Sequence, residues 1–299
     1  MELSGAVKRT VFARSFWRGV LVVLVLGLLA LGCGVVWLKS LFNEPGVQEV
    51  PSLAAHFGAK SILCVFAHPD DEIIAAAFVA DAAKRPGTVV RIITATKGEG
   101  GTPDPPLSRP ADLGIVREAE ALKHSFALGV AEHEVWSFPD GKLSEERFEE
   151  LTEEITTRLV GWKPDLVITF DPASGLTLHP DHMSIGRAAM RALQKVANAE
   201  AASAPPRVLF VLAPRKALQT FGGAQGKEIA ARQPAANFAM PAPAAIKIRA
   251  WRIHESQAGY LRQAWRLPPW LLYRLLDREF YAVAPATGAL TATPAHTPD

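Results

Sequence analysis

The sequence predicts an α/β domain with a doubly wound, mostly parallel sheet and helices on both faces, preceded by one transmembrane helix. Two observations predict it. From residue 61 onward, short apolar runs alternate with amphipathic segments, as in strands joined by crossover helices. Before them, the uninterrupted apolar run at residues 19–38 is long enough, as a helix, to cross roughly 30 Å of hydrocarbon.

Length and composition bound the function classes. The 299 residues are 49% hydrophobic and 21% charged, which suits one globular domain with an added segment. The net charge of +2 offers no basic surface for nucleic acid, so a nucleic-acid partner is not expected. The sequence does not define an oligomeric state.

The N-terminal segment is predicted to be a membrane anchor. Residues 1–18 carry four basic residues, whereas Lys39 alone follows the apolar run before polar sequence resumes. By the positive-inside rule, residues 1–18 are predicted to be cytoplasmic, residues 19–38 to span the membrane once, and the rest of the chain to be extracytoplasmic. A cleavable signal peptide, with a lipoprotein-like site at residues 30–33, is the alternative. The apolar run exceeds a usual signal-peptide core, which favours an uncleaved anchor.

Residues 39–59 are predicted to be a linker because Pro45, Gly46, Pro51 and Gly58 interrupt any regular pattern. The main domain is predicted at residues 60–284. Its predicted strands are residues 61–66, 88–94, 133–138, 166–170 and 207–212. Its predicted helices are residues 72–84, 112–128, 144–162 and 182–197. This alternation predicts a Rossmann-like sheet.

Past residue 214 the periodicity weakens. Residues 222–245, rich in Ala, Pro, Gly and Gln, are predicted to be a loop or lid. Residues 246–261 are predicted to be helical. Residues 268–276 form an apolar cluster that either packs in the core or faces a membrane. The tail at residues 285–299 is predicted to be disordered.

Two clusters of imidazole and carboxylate groups follow predicted strands. They are AHPDDE at residues 67–72 and HPDH at residues 179–182. Ligands bind at strand ends in α/β proteins, and consecutive acids repel one another unless a cation lies among them. No Lys or Arg follows the first cluster until Lys84. The doubled pattern predicts a catalytic divalent metal rather than solvated loop residues. Histidine ligands favour zinc over the magnesium of a phosphatase, which is a second candidate class.

Five segments occur in an order that resembles the PIG-L/LmbE-like de-N-acetylase family, over roughly residues 60–283. They are AHPDDE (67–72), TKGEGG (96–101), REAEAL…LGV (117–130), HPDH (179–182) and HESQ (254–257). The family includes enzymes that deacetylate N-acetylglucosaminyl conjugates, and related amidases. The resemblance implies one Zn²⁺ per chain, held by His68, Asp71 and His182 with a fourth position open.

The resemblance also implies catalytic roles. Asp70 would be the general base beside the metal. His179, when protonated, would stabilise the oxyanion or protonate the leaving amine, and Asp181 would hold that imidazole charged and oriented. Arg117 and Asp140 would contact the substrate. For these two, a surface helix charge and a turn aspartate are the competing interpretations.

Other polar residues are less defined by the pattern. Glu72 is interpreted either as a support for the metal site or as a carboxylate favoured at a helix N-terminus. His254 is predicted to be structural, and His124 is assigned no role. The approach to HPDH departs from the glycine-rich pattern of the family because Leu176 and Leu178 make it apolar. That departure favours a lipid-linked or aryl conjugate over a simple soluble sugar.

The sequence therefore predicts a membrane-anchored zinc hydrolase that removes an acetyl group from an N-acetylated amino sugar, with an N-acetylglucosaminyl glycoconjugate as substrate. Two alternatives remain open. One is an amidase acting on another sugar or thiol conjugate. The other is a non-catalytic, membrane-tethered sugar-binding module.

Overall fold

The computed structural model describes residues 3–144, 147–199, 205–265 and 267–285. Eight strands form one sheet in the order β1-β7-β8-β6-β5-β2-β3-β4. They are β1 Gln48–Glu49, β2 Ser61–Phe66, β3 Val89–Thr96, β4 Glu132–Phe138, β5 Leu166–Phe170, β6 Arg207–Leu212, β7 Phe238–Pro241 and β8 Arg278–Val283.

Parallel pairing runs through the centre of the sheet. β2 lies between β3 and β5, and β4 and β6 extend the sheet in parallel beyond them. Only β8 is antiparallel, both to β6 and to β7. All residues of β2 after Ser61 are buried, as expected for a central parallel strand covered on both faces. The predicted fold class is confirmed.

Eleven α-helices lie in the described residues. They are α1 Leu3–Leu41, α2 Leu53–Phe57, α3 Ala76–Ala83, α4 Leu113–Leu128, α5 Phe148–Trp162, α6 Pro180–Ala199, α7 Arg215–Phe221, α8 Gly223–Arg232, α9 Ala244–Ile253, α10 Ala258–Trp265 and α11 Pro269–Leu275. α5 packs with α6, and α3 packs with α2, α4 and α9. These groups cover the apolar sheet.

The structure corrects the predicted linker at residues 39–59. α1 continues to Leu41, β1 pairs in parallel with β7, and α2 is a capped helix. Ser52 Oγ accepts from Ala55 N at 3.2 Å, and Gly58 ends α2 in the left-handed conformation. The prolines and glycines that indicated a linker therefore lie between short ordered elements.

The C-terminal third also differs from its prediction. The predicted loop at residues 222–245 contains α8 and β7, and β8 was not predicted. The predicted helix at residues 246–261 is divided by a 3₁₀ turn at Glu255–Gln257. Of the tail predicted to be disordered, residues 286–299 lie outside the described residues.

α1 is the one helix in the described residues long and apolar enough to cross a membrane, over Trp17–Leu41. From Trp17 to Trp37 its apolar side chains are mostly exposed, whereas Leu41 and Phe42 at its end are buried in the domain. The end of the helix is thus part of the packed structure.

Candidate metal centre and active site

The candidate site lies where the sheet order reverses. From β2 the chain proceeds to β3 and β4 on one side, and from β5 it proceeds to β6 on the other. The carboxyl ends of β2 and β5 therefore border a crevice, which is where ligands bind in open α/β sheets. His68 follows β2 by two residues, and His182 lies in the first turn of α6.

Close packing holds α6 against the end of β5. A Cβ added to Gly186 would lie 2.5 Å from the Phe170 carbonyl oxygen, so a larger residue would push the helix away. The rings of Phe170 and His182 stack with centroids 4.3 Å apart. This contact fixes the plane of the imidazole that faces the first motif.

The three side chains that the sequence predicts as ligands lie close together. His68 Nδ1 lies 3.1 Å from His182 Nε2. Asp71 directs Oδ1 to His182 Nε2 at 3.1 Å and Oδ2 to His68 Nδ1 at 3.6 Å. A tetrahedral ion with bonds of about 2.0–2.2 Å separates its donor atoms by about 3.3–3.6 Å. The side chains therefore fit a small divalent cation. His179 also brings a ring nitrogen within 4.8 Å of both other imidazoles.

The outer nitrogens of both rings are occupied by oxygen acceptors. His182 Nδ1 is 2.9 Å from the Gly175 carbonyl oxygen, which can only accept. His68 Nε2 faces Asp140 Oδ1 at 3.0 Å and Asp181 Oδ2 at 3.2 Å. With these nitrogens donating, the neutral rings direct lone pairs at each other across the site. The two lone pairs repel each other unless a positive charge lies between them. Metal-ligating histidines have the same arrangement, with the outer nitrogen fixed by a hydrogen bond and the metal ion at the inner nitrogen.

The pKa shifts agree with that geometry. Burial alone would raise the pKa of Asp71, but the charges of His182 and His68 lower it. Burial alone would lower the pKa of His68, yet its contacts with Asp140 and Asp181 raise it to about 10. In the absence of a metal ion, a proton on His68 supplies the positive charge. A metal ion would displace that proton.

The expected pairing of Asp181 with His179 is corrected. The Asp181 carboxylate accepts from Gly141 N at 2.7 Å and Leu143 N at 3.0 Å, and it contacts His68 instead. His179 Nδ1 accepts from the Asp181 backbone N–H at 3.2 Å. Burial and the nearby His68 and His182 lower the pKa of His179. His179 is therefore a neutral imidazole with its proton on Nε2.

Asp70 occupies an uncommon backbone conformation, with φ of 104°. Its backbone N–H donates to Glu72 Oε2 at 3.0 Å, and its Oδ1 accepts from Arg117 Nη2 at 3.3 Å. Burial and the charge of Asp71 raise the pKa of Asp70 to about 6, although Arg117 opposes the shift. Asp70 is thus held in place as a carboxylate that is largely ionised at neutral pH.

Arg117 is buried on α4, so the surface-charge interpretation is wrong. Its guanidinium donates to Gly98 O at 2.9 Å and to Pro69 O at 2.6 Å. It therefore joins two site loops and supports Asp70. Asp140 is also more than a turn residue, because its Oδ2 accepts from Gly100 N at 2.9 Å while Oδ1 faces His68.

A buried network behind Asp70 was not predicted. Glu72 Oε1 lies 2.8 Å from His124 Nδ1 and 2.6 Å from His254 Nε2. All three side chains are buried, and the two imidazoles lower the pKa of Glu72 against the effect of burial. Glu72 therefore lies at the start of a 3₁₀ turn and also joins that turn to two buried imidazoles. Its position in AHPDDE and the late HESQ segment were the available signals, but neither indicated a contact with His124.

A cavity of about 730 Å³ opens over the site. It is lined by His68, Asp70, Asp71, His179 and His182, together with Arg117 and Asp140. Every residue predicted for the site except Asp181 thus borders one cavity, and Asp181 supports it from behind through His68. The arrangement brings three candidate cation ligands, an ionised carboxylate and an imidazole N–H into a space that admits a small-molecule ligand.

Comparison with known proteins finds related sequences. Residues 63–193 match the family model described as PIG-L: GlcNAc-PI de-N-acetylase. The chain is 30% identical over 179 residues to the 1D-myo-inositol 2-acetamido-2-deoxy-alpha-D-glucopyranoside deacetylase of Kineococcus radiotolerans, covering 50% of this chain and 49% of that protein. It is 31% identical over 139 residues to the probable N-acetyl-alpha-D-glucosaminyl L-malate deacetylase 2 of Bacillus anthracis. That match covers 46% of this chain and 61% of that protein. This chain thus spans about half the length of the curated relatives it matches.

Among solved structures, the fold is similar to that of the N,N'-diacetylchitobiose deacetylase from Pyrococcus horikoshii. The TM-score is 0.59 at 20% sequence identity, with 82% of this chain and 90% of that chain covered. This likeness establishes the shared fold.

Proposed function

Residues 63–193 match the PIG-L family model, and from that match we propose that the chain is a member of the family and a metal-dependent hydrolase that deacetylates an N-acetylglucosaminyl conjugate. The convergence of His68, Asp71 and His182 at 3.1–3.6 Å carries the proposal. A ligand set of two nitrogens and one carboxylate oxygen with an open position is typical of catalytic zinc.

We propose that these three side chains hold one Zn²⁺ per chain. Imidazole ligands favour zinc over magnesium, which speaks against the phosphatase class. When bound, the ion supplies Lewis-acid polarisation and an acidified water. Asp140 and Asp181 orient the His68 ring through Nε2, as outer carboxylates do for metal-ligating histidines.

Asp70 is the proposed general base. Its pKa of about 6 lies just below neutral pH, so the carboxylate is available to accept the proton of an attacking water. Glu72 and Arg117 hold it from opposite sides, at its backbone N–H and its Oδ1. We therefore assign Arg117 to positioning Asp70 rather than to direct substrate contact.

His179 is the proposed oxyanion donor. Because Nδ1 accepts from the Asp181 backbone N–H, the proton on Nε2 is the one available to the cavity. A neutral imidazole can donate a hydrogen bond to a developing oxyanion. The resemblance implied a protonated His179 that stabilises the oxyanion or protonates the leaving amine. For the neutral imidazole we propose only hydrogen-bond donation to the oxyanion. Asp140, on the cavity wall, is retained as the proposed acceptor for a sugar hydroxyl.

We also propose that α1 is an uncleaved, single-pass anchor with the catalytic domain outside the cytoplasm. The length of the apolar run at residues 19–38, which exceeds a usual signal-peptide core, supports retention of the helix. The charge bias of residues 1–18 supports the orientation. A periplasm-dependent reporter fused after Asp299 should be active, and activity of a cytoplasm-dependent reporter instead would reverse the topology.

The decisive experiment measures acetate release. Purified full-length protein should contain about one zinc per chain and release acetate from methyl N-acetyl-β-D-glucosaminide. Asp70→Asn should retain the zinc but lose about 10²–10⁴-fold in kcat. Full activity in Asp70→Asn would remove it as the base. Zinc binding without acetate from any amino-sugar conjugate would favour the sugar-binding module.

A further inference from the structure

The cavity over the metal centre has a second, apolar lining. Apolar side chains from four helices border the same space as the proposed catalytic groups. They are Leu218 and Phe221 of α7, Ile229 of α8, Leu261 of α10, and Leu272 and Tyr273 of α11. All of them lie beyond residue 193, where the family match ends. The apolar lining is therefore built by the C-terminal third of this chain. A polar amino sugar does not need it.

Leu176 and Leu178 connect this lining to the active-site loop. Both adopt left-handed backbone conformations, with φ of 64° and 62°, which a non-glycine residue rarely adopts. Both pack against a buried cluster that contains Leu218 and Ile229, and Leu176 borders the cavity. Apolar packing thus holds a strained loop in a conformation that lengthens the apolar wall.

The same wall packs against the end of α1. Leu41 and Phe42 share one buried cluster with Leu261, Leu272 and Tyr273. The ring of Phe42 also stacks on Phe221, with centroids 6.1 Å apart. One layer of side chains therefore separates the cavity from the end of the apolar helix. A bilayer around α1 would lie beside this part of the domain.

Two exposed aromatic residues mark the same region. Phe221 is 45% exposed although it borders the cavity, and Trp270 of α11 is 56% exposed. Arg274 lies over the Trp270 ring at 5.9 Å. Tryptophan beside a basic residue is typical of surfaces at the membrane interface. The cavity wall is thus continuous with a surface suited to lipid headgroups.

We propose that the apolar part of the cavity binds the hydrocarbon chain of an amphiphilic amino-sugar conjugate that enters from the bilayer around α1. The proposal rests on the proposed deacetylase function and names the class of its substrate. The acetylated sugar would lie at His68, Asp71 and His182, while the chain lies between α7, α8 and α11.

The test compares methyl and octyl N-acetyl-β-D-glucosaminides, with the octyl compound below its micelle concentration and the full-length protein in phosphatidylcholine nanodiscs. Each methylene moved from water to an apolar site favours binding about fourfold, so four buried methylenes give an octyl preference in kcat/KM on the order of 10²-fold. Uptake into the nanodisc contributes to that preference in every variant. The comparison between variants therefore isolates the cavity.

Phe221→Asp places a carboxylate on the apolar wall and should reduce the octyl-to-methyl ratio at least about tenfold, whereas Phe221→Leu should retain it. The matched control is Phe126→Asp, which changes an 87% exposed phenylalanine on α4 and should leave the ratio unchanged. Acetate release from both glycosides with an equal ratio in wild type and Phe221→Asp would overturn the hydrocarbon site and leave the deacetylase function intact.

Direct binding gives a readout independent of turnover. Equilibrium dialysis of radiolabelled octyl glycoside, corrected for empty nanodiscs, should show at least about tenfold weaker affinity for Phe221→Asp than for wild type. Equal affinities would overturn the proposal. If neither glycoside releases acetate, the deacetylase function fails, and this binding difference still decides whether the cavity takes a hydrocarbon chain.

Discussion

Replacing Lys247 with Met tests how much a buried ion pair beside the proposed metal site stabilises the protein. Lys247 Nζ donates to Ile73 O at 2.6 Å and to Ile74 O at 2.7 Å, and it pairs with Glu279. The two carbonyls belong to the 3₁₀ turn Asp71–Ala75, which begins with a proposed metal ligand. Burial lowers the pKa of Lys247, while Glu279 opposes that shift.

The magnitude follows from what remains after the substitution. Glu279 would keep donors from Ala77 N at 2.8 Å, Phe78 N at 2.9 Å and Tyr281 Oη at 2.8 Å, but no counter-charge. Removing one partner of a buried ion pair costs about 3–5 kcal/mol, and three remaining donors favour the lower end. At about 2–4 °C per kcal/mol, a loss of about 3 kcal/mol lowers Tm by about 6–12 °C.

The assay is thermal unfolding of full-length protein, followed by tryptophan fluorescence in one detergent. Lys39→Met is the matched control because Lys39 forms an exposed ion pair with Asp277, expected to contribute about 0–1 kcal/mol. The double variant Lys247→Met/Glu279→Gln should be more stable than Lys247→Met alone, since it removes the unpaired charge. If Lys247→Met unfolds no earlier than Lys39→Met, the reasoning is refuted.

Three further outcomes are expected. His182→Ala should lose zinc from about one per chain to near none, and stoichiometric zinc in that variant would remove His182 from the ligand set. In wild type, kcat/KM should fall as the pH drops through about 6 or below, because protonated Asp70 cannot accept a proton and a bound cation lowers its pKa. Arg117→Met removes a charge that lowers this pKa, so the acidic limb should move to higher pH; an unmoved limb contradicts the assignment. His254→Leu should lower the free energy of unfolding by about 1.5–3 kcal/mol in urea denaturation, because Glu72 loses a donor, and unchanged stability would show the contact to be unimportant.

The central strands were predictable because β2 and β5 are buried on both faces and appear in sequence as unbroken apolar runs. β8 was not, because it carries Arg278 and Glu279 near its start and follows an apolar cluster without clear periodicity. Burial of Glu279 depends on its pairing with Lys247, from another element. A local pattern does not contain that information.

Some parts of the candidate site were likewise predictable from the sequence, and others were not. A metal site near AHPDDE and HPDH was predictable because these motifs follow strand-like apolar runs, and the resemblance to the de-N-acetylase family implied His68, Asp71 and His182 as its ligands. The Glu72 network was not, since its histidines are 52 and 182 residues away in sequence and neither lies in a local pattern of metal ligands. The direction of the Asp181 carboxylate depends on how α6 begins, so the motif alone placed it beside the wrong imidazole.

The short strand β1 determines how far the domain can move relative to α1. Gln48 and Glu49 pair with Phe238 and Ala239 only a few residues after α1 ends, and Glu49 also binds Arg278 at 2.9 Å. With α1 in a bilayer, the domain therefore cannot swing on a flexible tether. In that setting the cavity mouth would be held near one height above the lipid surface, and an amphiphilic substrate of the proposed class would reach it by lateral diffusion.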